Sequence, residues 1–399
     1  MSVGLVGVAV LAIWLYLLVG RGLFWLAAER DDSLAATGEK APALAGEWPA
    51  VVAIVPARNE ADVIAKGIGL LLRQTYPGPR FSVVLVDDQS SDGTADAARS
   101  AAREAPAADR LTVLEGSDPP PGWTGKLWAM EQGFRHVASR HAPPDYVLFT
   151  DADIAYEAFD AVARLVAGAE ARGTVLTSLM VKLRCTSLAE RLLVPAFIFF
   201  FAKLYPFAWV NDPRRATAAA AGGCMLVRRD ALAAAGGLKA IRGSLIDDCA
   251  LAALLKRQGP IWLGLTQRVV SLRPYPRFHD IRRMVVRSAY AELRYSPLRL
   301  AGTLAGMALT YLAPPLLTIF AEGPARALGA AAWIMMALAF VPTLRFYGRS
   351  PLWGVLLPMI AAIYTAFTLE SAIQHWRGRG GAWKGRFQAD ASDGKIVDA

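Results

Sequence analysis

Two carboxylates one residue apart, Asp151 and Asp153, follow directly on the apolar run Tyr146 to Phe149 in "YVLFTDAD". Acids at i and i+2 can converge on one hard cation when a strand end keeps both side chains on the same side. Mg²⁺ or Mn²⁺ needs only one or two carboxylates where substrate phosphate oxygens complete its shell, and such a cation neutralises a departing diphosphate. The plainer reading has Asp153 capping a following helix and Asp151 in a turn. A second acidic strand end, "VDDQSSDGT", places Asp87 and Asp88 where they can accept hydrogen bonds from a base or from ribose hydroxyls. A turn leading into a helix capped by Ser91 or Asp92 accounts for it equally well. A third pair, Asp247 and Asp248, opens "DDCALAALLKRQG", which reads as a helix of about ten residues ending by Gly259. There the pair either satisfies the helix dipole or supplies a base, since one acid raises the pKa of its neighbour.

These acids need elements to hold them. "AVVAIVPARNE", broken by Pro56, is followed by a stretch with helical spacing of Val63, Ile64, Ile68, Leu71 and Leu72. "FSVVLVDDQSSDGT" repeats the order strand, polar loop, helix, and "YVLFTDAD" begins it again before a helix-like stretch to Arg172. The alternation predicts an α/β domain with a parallel sheet buried on both faces, with ligands beyond the carboxyl ends of its strands. The loops "PARNE", "DDQSSDG" and "DAD" should therefore meet on one edge.

The 399-residue chain is 54% hydrophobic, too apolar for an ordinary soluble enzyme. Uncharged runs at Met1 to Gly20, Leu300 to Ala321, Ala327 to Leu344 and Ser350 to Leu369 each span, or nearly span, a hydrocarbon core. The first lacks a basic leader and is followed by Arg21 and Arg30, which favours a retained anchor over a cleaved signal and places the middle of the chain in the cytoplasm. The basic tail "HWRGRGGAWKGRF" fits that rule only if one of the last three runs is re-entrant or interfacial. The expected layout is an anchor at 1–20, a linker at 21–47, a cytoplasmic catalytic domain at 48–299, membrane helices at 300–376 and a tail at 377–399. Leu192 to Val210, interrupted by Lys203 and two prolines, reads as an interfacial helix near 190–210 or as a buried core helix.

Cys185, Cys224 and Cys249 form no metal or disulfide pattern, and His136, His141, His279 and His375 have no ligand spacing. The net charge of +9 is partly local, with eight arginines between Arg268 and Arg299 against Asp280 and Glu292. That belt suits anionic headgroups or phosphate ligands, and no nucleic-acid motif accompanies it.

The ordered set "VPARNE", "VDDQSSDGT", "GWTGK", "TDAD", "AGGCMLVRRDAL" and "LIDDCAL" resembles the family 2 inverting glycosyltransferases of GT-A fold, from about Val51 to Asp248. The membrane-anchored layout is most similar to the glycosyltransferases encoded with bacterial hopanoid genes, themselves similar to ceramide glucosyltransferases. The resemblance implies that Pro56, Ala57, Arg58 and Glu60 line a nucleotide pocket and that Asp87 and Asp88 hold base and ribose. Lys126 would approach the donor, Asp151 and Asp153 would form the metal-binding pair for Mg²⁺ or Mn²⁺, and Gly222 and Gly223 would lie beside donor sugar and acceptor. Asp247 and Asp248 match the family's acidic pair, with Asp248 as base. Of the Gln-x-x-Arg-Trp motif of processive relatives only Arg287, in "MVVRS", survives, which leaves phosphate or acceptor binding to it and argues for a single transfer.

The function so implied is a bacterial inner-membrane, multi-pass transferase moving a sugar from a nucleotide-diphosphate donor, a UDP-sugar by preference, to a lipid hydroxyl of hopanoid type. Two alternatives stand beside it: a polyprenyl-phosphate acceptor, which needs no base, and a non-catalytic scaffold that binds nucleotide sugar.

Overall fold

The computed structural model describes residues 3–32, 44, 46–78, 80–378, 382–383 and 386–387. The chain divides into two compact units: Glu29–Leu183 with Trp209–Arg273 and Ala382–Ala399, and Met1–Ala28 with Arg184–Ala208 and Pro274–Gly381. Segments 184–208 and 274–299, expected inside the catalytic domain, thus group with the apolar helices. Residues 33–43 and 45 of the expected linker, and most of the tail, lie outside the described residues. The linker's first residues are structured: Leu265 N–H donates to Glu29 O (2.8 Å), and Asp31 N–H donates to Leu265 O (3.0 Å).

The first unit is built on one eight-stranded sheet. Its strands are β1 (Val51–Ala57), β2 (Phe81–Asp87), β3 (Leu111–Glu115), β4 (Tyr146–Phe149), β5 (Ile154–Tyr156), β6 (Leu176–Lys182), β7 (Met225–Arg228) and β8 (Ile261–Ser271). They lie in the order β3-β2-β1-β4-β7-β6-β8-β5. The β3-β2-β1-β4 half is parallel, as the alternation predicts. The other half is not: β7 runs antiparallel to both β4 and β6, and β5 antiparallel to β8. The sheet is therefore mixed: the short strand β5 is inserted between Asp153 and the expected helix, which runs over Ala161–Arg172, and β7 enters antiparallel between β4 and β6.

Pro56 lies inside β1, paired with Val86 of β2. It is tolerated because β4 pairing stops at Ile54, opposite Phe149, so no further bond to that neighbour is owed. β1 is buried at every position, as a strand covered on both faces must be. Helix Ile64–Leu72 turns Ile64, Ile68, Leu71 and Leu72 onto this sheet, each worth roughly 1.5–3 kcal/mol when fully removed from water. Gly67 on that helix has no room for a Cβ, which would lie 2.9 Å from Ala152 O and 3.2 Å from Ile154 O. The helix thus presses directly on the loop that carries Asp151 and Asp153.

Among the described residues of the second unit, four helices, Val3–Gly20, Pro297–Phe320, Gly323–Phe346 and Pro351–Trp376, are long and apolar enough to cross a membrane. Helix Leu188–Leu204, started by a Ser187/Glu190 capping box, packs among them. Tyr364 Oη donates to Leu193 O (2.8 Å), and Phe199 meets Phe340 at 5.2 Å between ring centroids. Its Leu193, Val194, Ala196, Ile198 and Phe199 are buried, while Leu188 and Leu204 at its ends are exposed.

Candidate active site

The ends of β1, β2 and β4 lie side by side, and their loops are joined by hydrogen bonds. Asp88 N–H donates to Ala57 O (2.7 Å), continuing the β1–β2 ladder by one step. Asn59 N–H donates to Ser90 Oγ (2.9 Å), Glu60 N–H to Thr94 Oγ1 (2.9 Å), Ala61 N–H to Asp92 Oδ2 (3.0 Å) and Ser91 N–H to Asn59 Oδ1 (2.9 Å). Asn59 and Gln89 both take positive φ, 51° and 55°, where Asn and similar polar residues are tolerated best among residues with a side chain. Asp87 accepts the Ser90 hydroxyl and amide. Helix Thr94–Arg103 has Gly93 at its N-cap, with no side-chain cap, in place of the expected Ser91 or Asp92; Asp92 lies just before it and accepts from Thr94 N–H at 3.1 Å. Asp88 is fully enclosed. Its carboxylate faces Arg58 at 3.6 Å, so it meets the loop edge through that guanidinium.

The second half of the site gathers around one ammonium. Thr124 caps helix Gly125–Ala138 by accepting from Leu127 N–H (3.3 Å), which places Lys126 in the first turn. A cation there opposes the helix dipole. The compensation is close: Lys126 Nζ lies 2.9 Å from Asp151 Oδ1 and 3.1 Å from Asp247 Oδ2. Burial pulls the Lys126 ammonium down, but Asp151, Asp247 and Asp248 together hold its pKa above the ordinary lysine value. Burial raises the Asp151 carboxyl against the pull of Lys126, and the Asp153 charge adds to the rise.

Asp247 and Asp248 occupy the first turn of helix Asp247–Leu255, whose N-cap is Ile246 with no side-chain cap. Capping is therefore not their main task. Main-chain amides orient Asp248: Gly222 N–H donates to its Oδ2 (3.0 Å) and Cys249 N–H to its Oδ1 (2.8 Å). Burial, reinforced by the Asp247 charge and opposed by Lys126, raises the Asp248 carboxyl to about 6. It is ionised at neutral pH and ready to take a proton. A Cβ at Gly222 would sit 3.2 Å from Lys126 Nζ and 3.5 Å from Asp248 Oδ2, so a side chain there would nudge the ammonium by a few tenths of an ångström. Gly223 is tied inward, its carbonyl accepting from Thr150 Oγ1 (2.8 Å), and Cys224 is fully buried, its thiol pushed up to about 12 by burial.

Asp153 is held from β8. Antiparallel pairing sets Ile154 opposite Ser271, and Leu272 N–H donates to Asp153 O (2.7 Å). The next residue, Arg273, donates from Nε to Asp153 Oδ2 (3.2 Å) and from Nη2 to Glu60, while Ser271 Oγ donates to Asp153 Oδ2 (3.1 Å). Asp88 with Arg58, Glu60 with Asp153, and Lys126, Asp151, Gly222, Asp247 and Asp248 thus share one edge of the sheet unit. Arg287 does not belong to that unit: it follows helix Phe278–Val286 among the apolar helices.

Local sequence pattern does not mark Ser90, Thr94, Ser271 or Arg273. The first two stand inside the acidic loop after β2, but Arg273 is one of eight arginines in a basic belt. What singles it out is its place, two residues beyond the Ser271 that pairs with Ile154, and that pairing has no local signature.

Among the described residues no three His, Cys, Asp or Glu side chains form a metal cage. The donor set does fit a cation of the Mg²⁺ type, which takes one or two carboxylates and completes its shell from substrate and water. Asp151 and Asp153 are the carboxylates that would hold such a cation.

A sequence profile described as "Glycosyltransferase like family 2" matches residues 49–269, more than half of the chain. The chain belongs to this glycosyltransferase family, and its sheet unit has the GT-A fold of that class. The chain is 32% identical over 128 residues to 4,4'-diaponeurosporenoate glycosyltransferase of Staphylococcus aureus, a match over 32% of this chain and 30% of the relative. It is 33% identical over 84 residues to glycosyltransferase AglE of Haloferax volcanii, 21% of this chain and 27% of that one. It thus spans less than a third of these relatives. Among solved structures, mannosyltransferase PcManGT from Pyrobaculum calidifontis in complex with GDP-Man and Mn²⁺ is similar in fold, with a TM-score of 0.55 and 21% identity over 95% of this chain and 100% of its own.

Proposed function

We propose that this protein transfers a sugar from a nucleotide-diphosphate donor to a lipid hydroxyl by direct, inverting displacement. One observation carries the reading: Lys126 joins Asp151 of the strand-end acidic pair to Asp247, the immediate neighbour of a half-buried, amide-oriented Asp248. Donor-side and acceptor-side acids are thereby held on one ammonium. Asp248 takes the proton of the attacking hydroxyl, and its raised pKa suits it to that task near neutrality. Lys126 faces negative charge that develops on the leaving side. Arg58, Glu60 and the loop of Asp87 form the nucleotide side of the site. Asp151 and Asp153 would hold Mg²⁺ or Mn²⁺, whose chemistry when bound is neutralisation of the leaving diphosphate.

The lipid acceptor is supported by the four membrane-capable helices and by the relative in Staphylococcus aureus, whose name is that of a transferase acting on 4,4'-diaponeurosporenoate. A hopanoid-related alcohol and a UDP-sugar are the specific acceptor and donor proposed, the former on the resemblance of the membrane-anchored layout. A bacterial inner membrane is the location implied by the same resemblance, and Arg21 and Arg30 after the first apolar run support a cytoplasmic sheet unit.

The test uses the full chain in detergent, a panel of nucleotide sugars, and separate lipid alcohol and polyprenyl-phosphate acceptors, with and without chelator. Mass spectrometry should find a glycosylated lipid alcohol, lost on chelation, and Asp248→Asn should lower turnover about 10³-fold. Full turnover of Asp248→Asn on polyprenyl phosphate would move the assignment to an acceptor already ionised, and donor consumption under no condition would overturn it.

A further inference from the structure

The acidic pair at the end of β4 is not bare in this structure. Lys126 sits on Asp151 at 2.9 Å and Arg273 on Asp153 at 3.2 Å. The Arg273 head group also reaches Glu60 of the loop after β1, so one guanidinium bridges the proposed cation-binding residue and the proposed nucleotide loop. Its placement is built into the fold. Ser271 ends β8 opposite Ile154, Leu272 N–H is bonded to Asp153 O, and Arg273 N–H donates to Ser271 Oγ (3.3 Å). Pro274 follows and biases Arg273 toward extended backbone. Glu60 is buried and the Arg273 side chain is 27% exposed, so water screens this pair less than it would a surface pair.

We propose that Arg273 is an internal counter-cation that keeps Asp153 from taking a divalent metal until a nucleoside diphosphate arrives, so that metal and nucleotide load cooperatively. This rests on the cation-binding reading of Asp151 and Asp153 given above. Without nucleotide, a divalent ion entering beside Asp153 meets a guanidinium at hydrogen-bond distance from the same carboxylate and must displace it against Coulomb repulsion. A diphosphate changes the balance in two ways. It brings oxygen ligands and negative charge for the metal, and it offers Arg273 an acceptor of the geometry a guanidinium prefers. Glu60 keeps hold of the same head group, so the exchange needs only a rotation of the arginine away from Asp153. Linkage makes the effect reciprocal: the factor by which nucleotide tightens metal is the factor by which metal tightens nucleotide.

The experiment measures Mn²⁺ binding to the full chain in detergent from the paramagnetic resonance signal of free Mn²⁺, alone and with UDP or GDP. The wild type should bind Mn²⁺ weakly by itself and more tightly with at least one of the two. Arg273→Gln should bind Mn²⁺ alone about tenfold more tightly, the effect of removing one competing charge at close range, and its nucleotide-dependent gain should shrink by the same factor. Arg273→Lys keeps the charge without the fork that spans Glu60 and Asp153, and should fall between the two; it also serves if Arg273→Gln fails to fold by circular dichroism. If Arg273→Gln or Arg273→Lys leaves Mn²⁺ affinity unchanged or lowers it while nucleotide still tightens binding, Arg273 is a brace between two loops and the proposal is wrong. If neither wild type nor variant binds Mn²⁺ with either nucleotide, the cation reading of Asp151 and Asp153 fails first and the proposal falls with it.

Discussion

Around the ends of β1 and β2 the acids are held largely by uncharged donors: Asp87 by Ser90, Asp92 by Thr94 and the Ala61 amide. Around Lys126 they are held by opposite charge, with Asp151 and Asp247 on one ammonium and Asp248 beside them. The first arrangement fixes shape. Hydrogen bonds between loops define where a nucleotide would lie, and each contributes about 0.5–1.5 kcal/mol. The second fixes protonation. The three carboxylates hold the Lys126 ammonium up while Lys126 opposes the rise of Asp151 and Asp248, so loss of one alters what the others can do. A site with both divisions can tolerate small changes at the nucleotide side and very few at the other.

Breaking the charged half should do the most damage. Lys126→Met removes the ammonium from between two carboxylates, and kcat/KM for the donor should fall about 10²- to 10³-fold, the range for losing one preorganised charge-stabilising donor. A loss under tenfold would mean that Lys126 only balances buried charge. A smaller and more diagnostic effect is expected from Asp247→Asn, with a rate reduced about 10- to 100-fold at neutral pH. The raised Asp248 carboxyl, about 6, is protonated as pH falls below that value and can then no longer accept a proton, so activity should have an acid limb there. Removing the Asp247 charge takes away one cause of the rise, and the limb in the pH profile of kcat/KM should move to lower pH. A limb that stays in place would leave burial as the sole cause.

The mildest test falls on the neutral half. Thr94→Val deletes the oxygen that accepts from Glu60 N–H and donates to Asp92. Stability should drop by about 1–2 kcal/mol, seen as a lowered Tm, and KM for the donor should rise a few-fold with kcat nearly unchanged. A fall in kcat with KM constant would erase the distinction between the two halves.

That distinction also marks what could be read from the chain alone. Loops that follow a strand and precede a helix announce themselves by local pattern, so "PARNE", "DDQSSDG" and "DAD" were legible, and the parallel strands β1, β2 and β4 do bring them to one edge. The four apolar runs were legible for the same reason, since each is continuous in sequence. The antiparallel half of the sheet was not. β5 and β7 have three and four residues, too short to show a period, and β7 enters between β4 and β6 from far along the chain. Arg273 was hidden by the same fact, because its partner Asp153 is a neighbour only through β5–β8 pairing. The enclosure of Asp88 behind Arg58 was equally out of reach, since "DD" does not say which acid turns inward.

The aim of the Asp248 carboxylate comes from the amides of Gly222 and Cys249. Every amino acid except proline brings such an amide, so no ordinary replacement at those two positions deletes the donor itself. Mutation can spoil the pointing of this group only by moving the chain, whereas the balance of charge beside it can be undone by changing a single side chain. Over evolutionary time the direction of this carboxylate should outlast its tuning.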